Sequence, residues 1–168
     1  MLKTMGVIAA VIVVGLPAAA LVGGQMNLLA GRRPQDLGPH DGLLKPPAAA
    51  SWNSVSSQAA RHPHTDYHEI APLRYQGDGQ AAFARLAGVV AAMPGATVLT
   101  SQPGYLYAEF STPVLKFVDD VEFLLDQPAG VIQMRSASRL GRKDFGANRK
   151  RLEAIRQRFD ASSLPAPG

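Results

Sequence analysis

Three carboxylates fall within four residues of the chain, Asp119, Asp120 and Glu122 in KFVDDVEFLL, and three arginines, Arg135, Arg139 and Arg142, follow within eight residues of one another in RSASRLGRKDFG. Carboxylates so placed can hold a cation or share acid and base roles. Guanidinium groups can hold an anionic ligand by bidentate hydrogen bonds. The two sets can also satisfy each other, because opposite charges facing across neighbouring strands stabilise a sheet modestly. GRKDFG, Gly141 to Gly146, adds two glycines and two cations at the start of a helix, where backbone N–H groups attract anions. It is neither a P-loop nor G-x-G-x-x-G, and Asp144 is placed to cap that helix itself. The set Arg135, Arg139, Arg142, Asp119, Asp120 and Glu122 is therefore the ligand-binding hypothesis, with charge pairing as its structural alternative, and no residue is assigned as catalytic.

A second constellation is RHPHTDYHEI, with His62, His64, Asp66 and His68 at alternate positions. Imidazole and carboxylate suit zinc or copper. One extended strand spaces such side chains about 6.6–6.8 Å apart, too far for all four to meet at one ion without bending, and Pro63 favours a loop. A polar entry loop is the reading adopted, with no metal and no cofactor assigned. Ser56, Ser57, Ser136 and Ser138 lie in no G-x-S-x-G elbow, so backbone hydrogen bonding is their expected use. There is no cysteine, which excludes disulfides and thiolate metal sites.

The elements that position these groups follow from periodicity. Asp78 can cap a helix starting at Gln80, in which Phe83, Leu86, Ala87 and Val90 form one buried stripe. Met93-Pro94-Gly95 ends it. Ala96–Ser101 is a strand. Tyr105–Ser111 alternates Tyr105, Tyr107 and Glu109 with Leu106, Ala108 and Phe110, a period-2 strand whose apolar set faces a core. Lys116–Leu125 and Val131–Ser138 are two more strands around the DQPAG turn. If that turn pairs Leu125 with Val131, Val121 faces Arg135, Asp120 faces Ser136, and Arg135 shares a face with Asp119. Asn148–Phe159 is a helix with Leu152, Ile155 and Phe159 on one side. The expected fold is α+β, a four-stranded antiparallel meander flanked by two helices, with about 110 residues enclosing one modest core.

Charge is segregated. Arg135 to Arg158 holds nine basic and two acidic residues, a net +7, in a chain whose net charge is +4, so the remainder carries −3. The basic character belongs to one C-terminal block. Phe145 and Phe159 are the only aromatics in or beside it, too few to stack bases, so no nucleic-acid partner is expected. Met5 to Val22 contains no charge and approaches the roughly 20 apolar residues that span a bilayer as a helix. Ala18 to Ala20 would suit signal cleavage. The N-terminal segment is thus a membrane-spanning anchor or a cleaved signal. Lys3 on one side and Arg32 and Arg33 on the other leave orientation unset. The chain divides into an apolar segment (1–30), a Pro/Gly/Ala-rich linker (31–50), a small α+β domain (51–160) and a tail (161–168).

NSVSSQ (Asn53 to Gln58), KFVDDVEFLLD (Lys116 to Asp126) and RSASRLGRKDFGANRKRLEAIR (Arg135 to Arg156) together resemble the bacterial and plastid family of domains of unknown function numbered 1499. The resemblance spans Trp52 to Phe159 and implies a small domain often found behind a membrane or export segment, with no established activity. That family commonly carries Cys at the position of Ser54, with a second Cys shortly upstream. This chain has neither, which weighs against thiol chemistry. Of the histidines, only His68 resembles a family position. The expected function is a membrane-tethered, non-enzymatic domain outside the cytoplasm, in the cell envelope or secreted after cleavage. It would bind an anionic lipid, an envelope polymer or an acidic protein through the basic block. The alternative is a small hydrolase or isomerase using the strand carboxylates and arginines on an anionic substrate.

Overall fold

The computed structural model describes residues 11–163. Six antiparallel strands form one sheet: β1 (Ser54–Ser56), β2 (Leu73–Arg74), β3 (Ala96–Gln102), β4 (Tyr105–Ser111), β5 (Val118–Asp126) and β6 (Val131–Ser138). The expected meander is present as β3–β4–β5–β6 in consecutive order. The count of four is corrected to six, because β1 and β2 both pair along the outer edge of β6, at Arg135–Ala137 and Val131–Ile132. Three- and two-residue strands are too short to show a period, and the pairing that makes them strands lies some 60 to 80 residues downstream.

Three α-helices accompany the sheet: α1 (Leu16–Gln25), α2 (Gly79–Ala91) and α3 (Ala147–Ala161). In α2 the Asp78 carboxylate accepts from the Ala81 N–H at 2.7 Å, the expected cap. Helices α2 and α3 cover one face of the sheet. Phe83, Leu86 and Val90 from α2 and Leu152, Ile155 and Phe159 from α3 meet Leu106, Phe110, Phe123 and Met134 in one core. This is the apolar set the alternation in β4 points to.

The turn between β5 and β6 is one residue tighter than expected. Asp126, not Leu125, pairs with Val131, so Glu122 faces Arg135, Val121 faces Ser136, and Asp120 faces Ala137. A one-residue slip exchanges the faces of a strand. Arg135 therefore shares a face with Asp120 and Glu122, while Asp119 lies on the helix side opposite Ser138.

The other face of the sheet is covered by chain, not helix. Gly31 to Lys45, part of the stretch read as a linker, runs across it as a strap, and Leu44 is fully buried beneath. Its backbone N–H donates to Gln58 Oε1 at 2.8 Å, and Gln58 Nε2 donates to the Gly42 carbonyl at 2.9 Å.

A π-helical turn, Val11–Gly15, leads into α1. The expected apolar run, Met5 to Val22, falls partly on residues 1–10, which lie outside the described residues. Among the described residues, no helix is long and apolar enough to cross a membrane. Val13, Val14, Leu16 and Val22 of this segment are exposed. The end of α1 touches the domain: a Cβ at Gly24 would stand 2.6 Å from the Leu115 carbonyl oxygen, and Gln25 Nε2 donates to the Val114 carbonyl at 3.0 Å.

Candidate functional site

The alternation of β4 and β5 places Tyr105, Tyr107, Glu109, Asp120 and Glu122 on the strap face, with Arg135 from β6 and Arg139 just beyond it. Glu122 is wholly buried and accepts from Arg135 Nη1 at 2.8 Å, Tyr105 Oη at 2.9 Å and the strap's Gly38 N–H at 2.8 Å. Asp120 accepts from Tyr107 Oη at 2.6 Å and from Arg139 Nε and Nη2 at 3.1 and 2.7 Å. Arg139 also donates to Glu109, and Arg33 of the strap donates to the same Glu109 at 2.7 Å. Three carboxylates thus meet three guanidinium groups, and the charges cancel. A buried charge left without a partner is expensive, which is why the set closes on itself.

Titration behaviour follows from this packing. Burial alone would raise the Glu109 carboxyl, but Arg139 and Arg33 hold it below the usual range. Burial and the neighbouring carboxylates push the Tyr105 and Tyr107 phenols well above their ordinary value. The Arg139 guanidinium is raised further: its carboxylate partners outweigh burial, which acts the other way.

Asp119 is separated from the other two acids by the sheet itself. It pairs with Arg151 of α3, whose guanidinium lies 5.1 Å from the Phe110 ring centre and donates to Ser136 Oγ and Asn148 Oδ1 at 3.0 and 2.8 Å. Asn148 is fully buried at the hub, donating to the Asn53 carbonyl at 3.0 Å and Ser138 Oγ at 2.9 Å. Sequence reasoning missed Asn148, Arg151 and Arg33. Nothing in the sequence marks the first or the last, but Arg151 lies one turn before Ile155 on a helix already expected to flank the sheet.

The histidine set does not converge. His64 Nε2 faces Glu69 at 2.7 Å, and that contact raises the imidazole above its ordinary value. His68 is buried between the Thr65 N–H and the Ser51 carbonyl. Among the described residues no group of three His, Asp or Glu side chains is arranged to hold a metal. Of the serines, Ser57 Oγ donates to Gln133 Oε1 at 2.7 Å and accepts from the Met134 N–H, and Ser136 Oγ donates to Asn148. Ser54 is buried with its Oγ unpartnered.

The loop joining β6 to α3 is different. Its helix-start amides are taken by the chain's own anion, since Asp144 accepts from the Gly146 and Asn148 N–H groups at 2.9 and 3.0 Å and from Tyr67 Oη. Burial would raise Asp144, yet these donors hold it below the usual carboxylate range. Burial first, then the Asp144 charge, pushes the Tyr67 phenol up to about 12. The cations beside it are not so used. Arg142 is exposed, with one contact to the Ala50 carbonyl at 3.1 Å, and the exposed Lys143 lies 4.6 Å over the Trp52 ring. Neither pairs with a carboxylate among the described residues. Trp52 also clamps the loop's backbone, its N–H donating to the Arg142 carbonyl at 2.7 Å and its carbonyl accepting from the Asp144 N–H at 3.0 Å.

Next to these cations is a cavity of about 350 Å³ with a mostly apolar lining, including Phe117, Val118, Leu140, Phe145 and Ala147. Asp119 is the only strand carboxylate at its edge. A larger cavity, about 620 Å³, lies between Arg74, Tyr75, Arg85 and Phe159 and includes none of the candidate ligand-binding or metal-ligating residues. The hollow beside the unpaired cations is the one whose walls match the chemistry at hand.

Fold and site together define an α+β domain whose sheet carries a closed ionic network on one face and an apolar core on the other. A family model described as a protein of unknown function, DUF1499, matches residues 46–159. The chain belongs to that family. No curated protein and no solved structure matches it. The strap, Gly31 to Lys45, lies just outside the family region.

Proposed function

We propose that this chain is a membrane-tethered, non-enzymatic domain of the cell envelope that binds an anionic component through the exposed part of its basic C-terminal segment. The observation that carries the reading is the division of the cations. Arg135, Arg139 and Arg151 are spent on buried acids, whereas Arg142 and Lys143 point outward beside exposed Leu140 and Phe145. A tether that holds such a loop near an anionic surface adds about 1 kcal/mol of attraction per basic residue. The same division favours binding over the hydrolase or isomerase alternative, because Asp120, Glu122, Arg135 and Arg139 bond one another beneath the strap.

The core lies wholly between Val55 and Phe159, so a fragment of residues 31–163 keeps core, sheet and strap. It should bind vesicles containing anionic lipid, and the binding should weaken by about tenfold or more as salt rises from about 0.05 M to about 0.5 M. Equal binding to neutral vesicles defeats the headgroup reading. The full chain should stay with membranes through alkaline extraction; its release defeats the tether.

A further inference from the structure

We propose that the cleft between the Thr112–Phe117 and Leu140–Phe145 segments seats an acyl chain of an anionic phospholipid, with Phe145 inserted beside it. The inference rests on the membrane-tethered reading and specifies which surface enters the bilayer.

Four observations converge on it. The cleft walls are mostly apolar, and its two lining carboxylates are already partnered, Asp119 by the Arg151 guanidinium and Asp144 by hydrogen bonds from Tyr67 and the helix-start amides. Phe145 is 89% exposed and holds φ at +53°. A bulky side chain in the left-handed region is strained, and glycine or asparagine would take that conformation freely. Gly146 does occupy the adjoining left-handed position, and Gly141 takes another positive φ in the same loop. An exposed aromatic kept at such a position contributes neither backbone comfort nor core packing, and strain of this kind concentrates where a surface is used.

The third observation is charge. Lys143 lines the cleft, and the exposed Arg142 precedes it on the same loop without lining the cleft. An anionic headgroup whose chain is in the cleft therefore has Lys143 at its edge and a second cation, unpaired with any acid among the described residues, one residue away in the chain. The fourth is position. The apolar α1 ends against Leu115 and Val114, on the same segment that lines the cleft, and Val114 and Phe117 are themselves exposed. A membrane entered by the N-terminal segment lies next to this opening, so no free diffusion step separates the site from its lipid.

The test uses the full chain reconstituted in bilayers. Trp52 is the only tryptophan, so the double variant Trp52→Phe/Phe145→Trp carries one indole, at the wedge. In bilayers containing phosphatidylglycerol with brominated acyl chains, emission from position 145 should be lost. In phosphatidylcholine brominated at the same carbons it should persist largely unquenched. Retention in the bilayer with unquenched emission in both overturns the cleft and leaves the tether standing. Equal quenching in both lipids overturns the anionic specificity. A chain that does not stay in the bilayer overturns the membrane reading and this proposal with it. The variant Phe145→Asn supplies a second readout. Its melting temperature should equal or exceed that of the native chain, and a fall would make the ring a packing residue and sink the proposal.

Discussion

Arg135 and Arg139 differ from Arg142 and Lys143 in almost nothing a sequence displays. All four lie within nine residues of a single basic run. Arg135 lies on β6 and Arg139 directly past its end, on a face crossed by Asp120, Glu122 and Glu109, and each has its acid within hydrogen-bond reach. The second two sit three and four residues farther on, where the sheet has run out and neither pairs with a carboxylate among the described residues. Positive charge counted along a chain is therefore not charge offered to a partner. What decides is whether the backbone is still in register with a carboxylate.

The sharpest way to break this contrast is at Glu122 and Arg135. Either Glu122→Ala or Arg135→Ala strands the other charge in a buried site, and the cost should be about 3–5 kcal/mol in urea unfolding of the 31–163 fragment. The double variant Glu122→Leu/Arg135→Met should recover part of that loss, because an apolar pair of similar volume is often neutral or stabilising, whereas Tyr105 Oη and the Gly38 N–H lose their acceptor. Single variants that cost under about 1 kcal/mol would mean the pair is solvated like an ordinary surface bridge, which typically contributes that little.

A smaller effect is expected at the junction between the two regions. Asp144, two residues before the N-cap Gly146, accepts from the Gly146 and Asn148 N–H groups where α3 begins, so Asp144→Ala should cost about 1–2 kcal/mol. Its folded pKa is depressed, as is that of Glu109. For a depressed carboxylate the unfolded chain binds the proton first as pH falls. The stabilisation is complete above the ordinary value, about 4, and is lost as pH drops through the folded value. Unfolding free energy should therefore fall below about pH 4, and less steeply in Asp144→Asn. A variant whose acid slope matches the native chain would show that the Tyr67 and amide contacts do not set the pKa of Asp144.

Much of this architecture was legible in the residues. Alternation in β4 and the DQPAG turn before β6 gave the bounds of those two strands as observed, and the stripe of Phe83, Leu86 and Val90 placed α2 to within a residue or so. The Asp119, Asp120 and Glu122 trio was found, and alternation alone divides it between two faces, but which face receives Arg135 turned on one hydrogen-bonded pair, Asp126 with Val131. Turn composition does not count residues finely enough to decide that register. The strap was not legible for a different reason. Proline and glycine give Gly31 to Lys45 no period, and what docks it on Glu122 is the backbone N–H of Gly38, a donor that every residue but proline carries. β1 and β2 failed for want of length, since their pairing with β6 is the whole reason they are strands. Phe145 was noticed only as a poor candidate for stacking a base; its left-handed backbone is a property of the loop and has no signature in the residue itself.

The mildest perturbation separates the two regions most cleanly. Arg142→Ala/Lys143→Ala removes two cations that bond no acid among the described residues. Arg142 gives up one exposed contact to the Ala50 carbonyl. Lys143 gives up its position over Trp52, and an exposed cation–π contact contributes about 0.5–1 kcal/mol at most. Unfolding of the double variant in urea should therefore shift by less than about 1 kcal/mol. Its binding to anionic vesicles should nevertheless weaken on the order of 30-fold, two basic residues at about 1 kcal/mol each. The Glu122→Leu/Arg135→Met chain should do the reverse, keeping full vesicle binding whatever its stability. If removing the exposed pair leaves binding intact, the attraction comes from cations of α3 such as Lys150 and Arg158, and the loop loses its claim to be the membrane-facing edge of the domain.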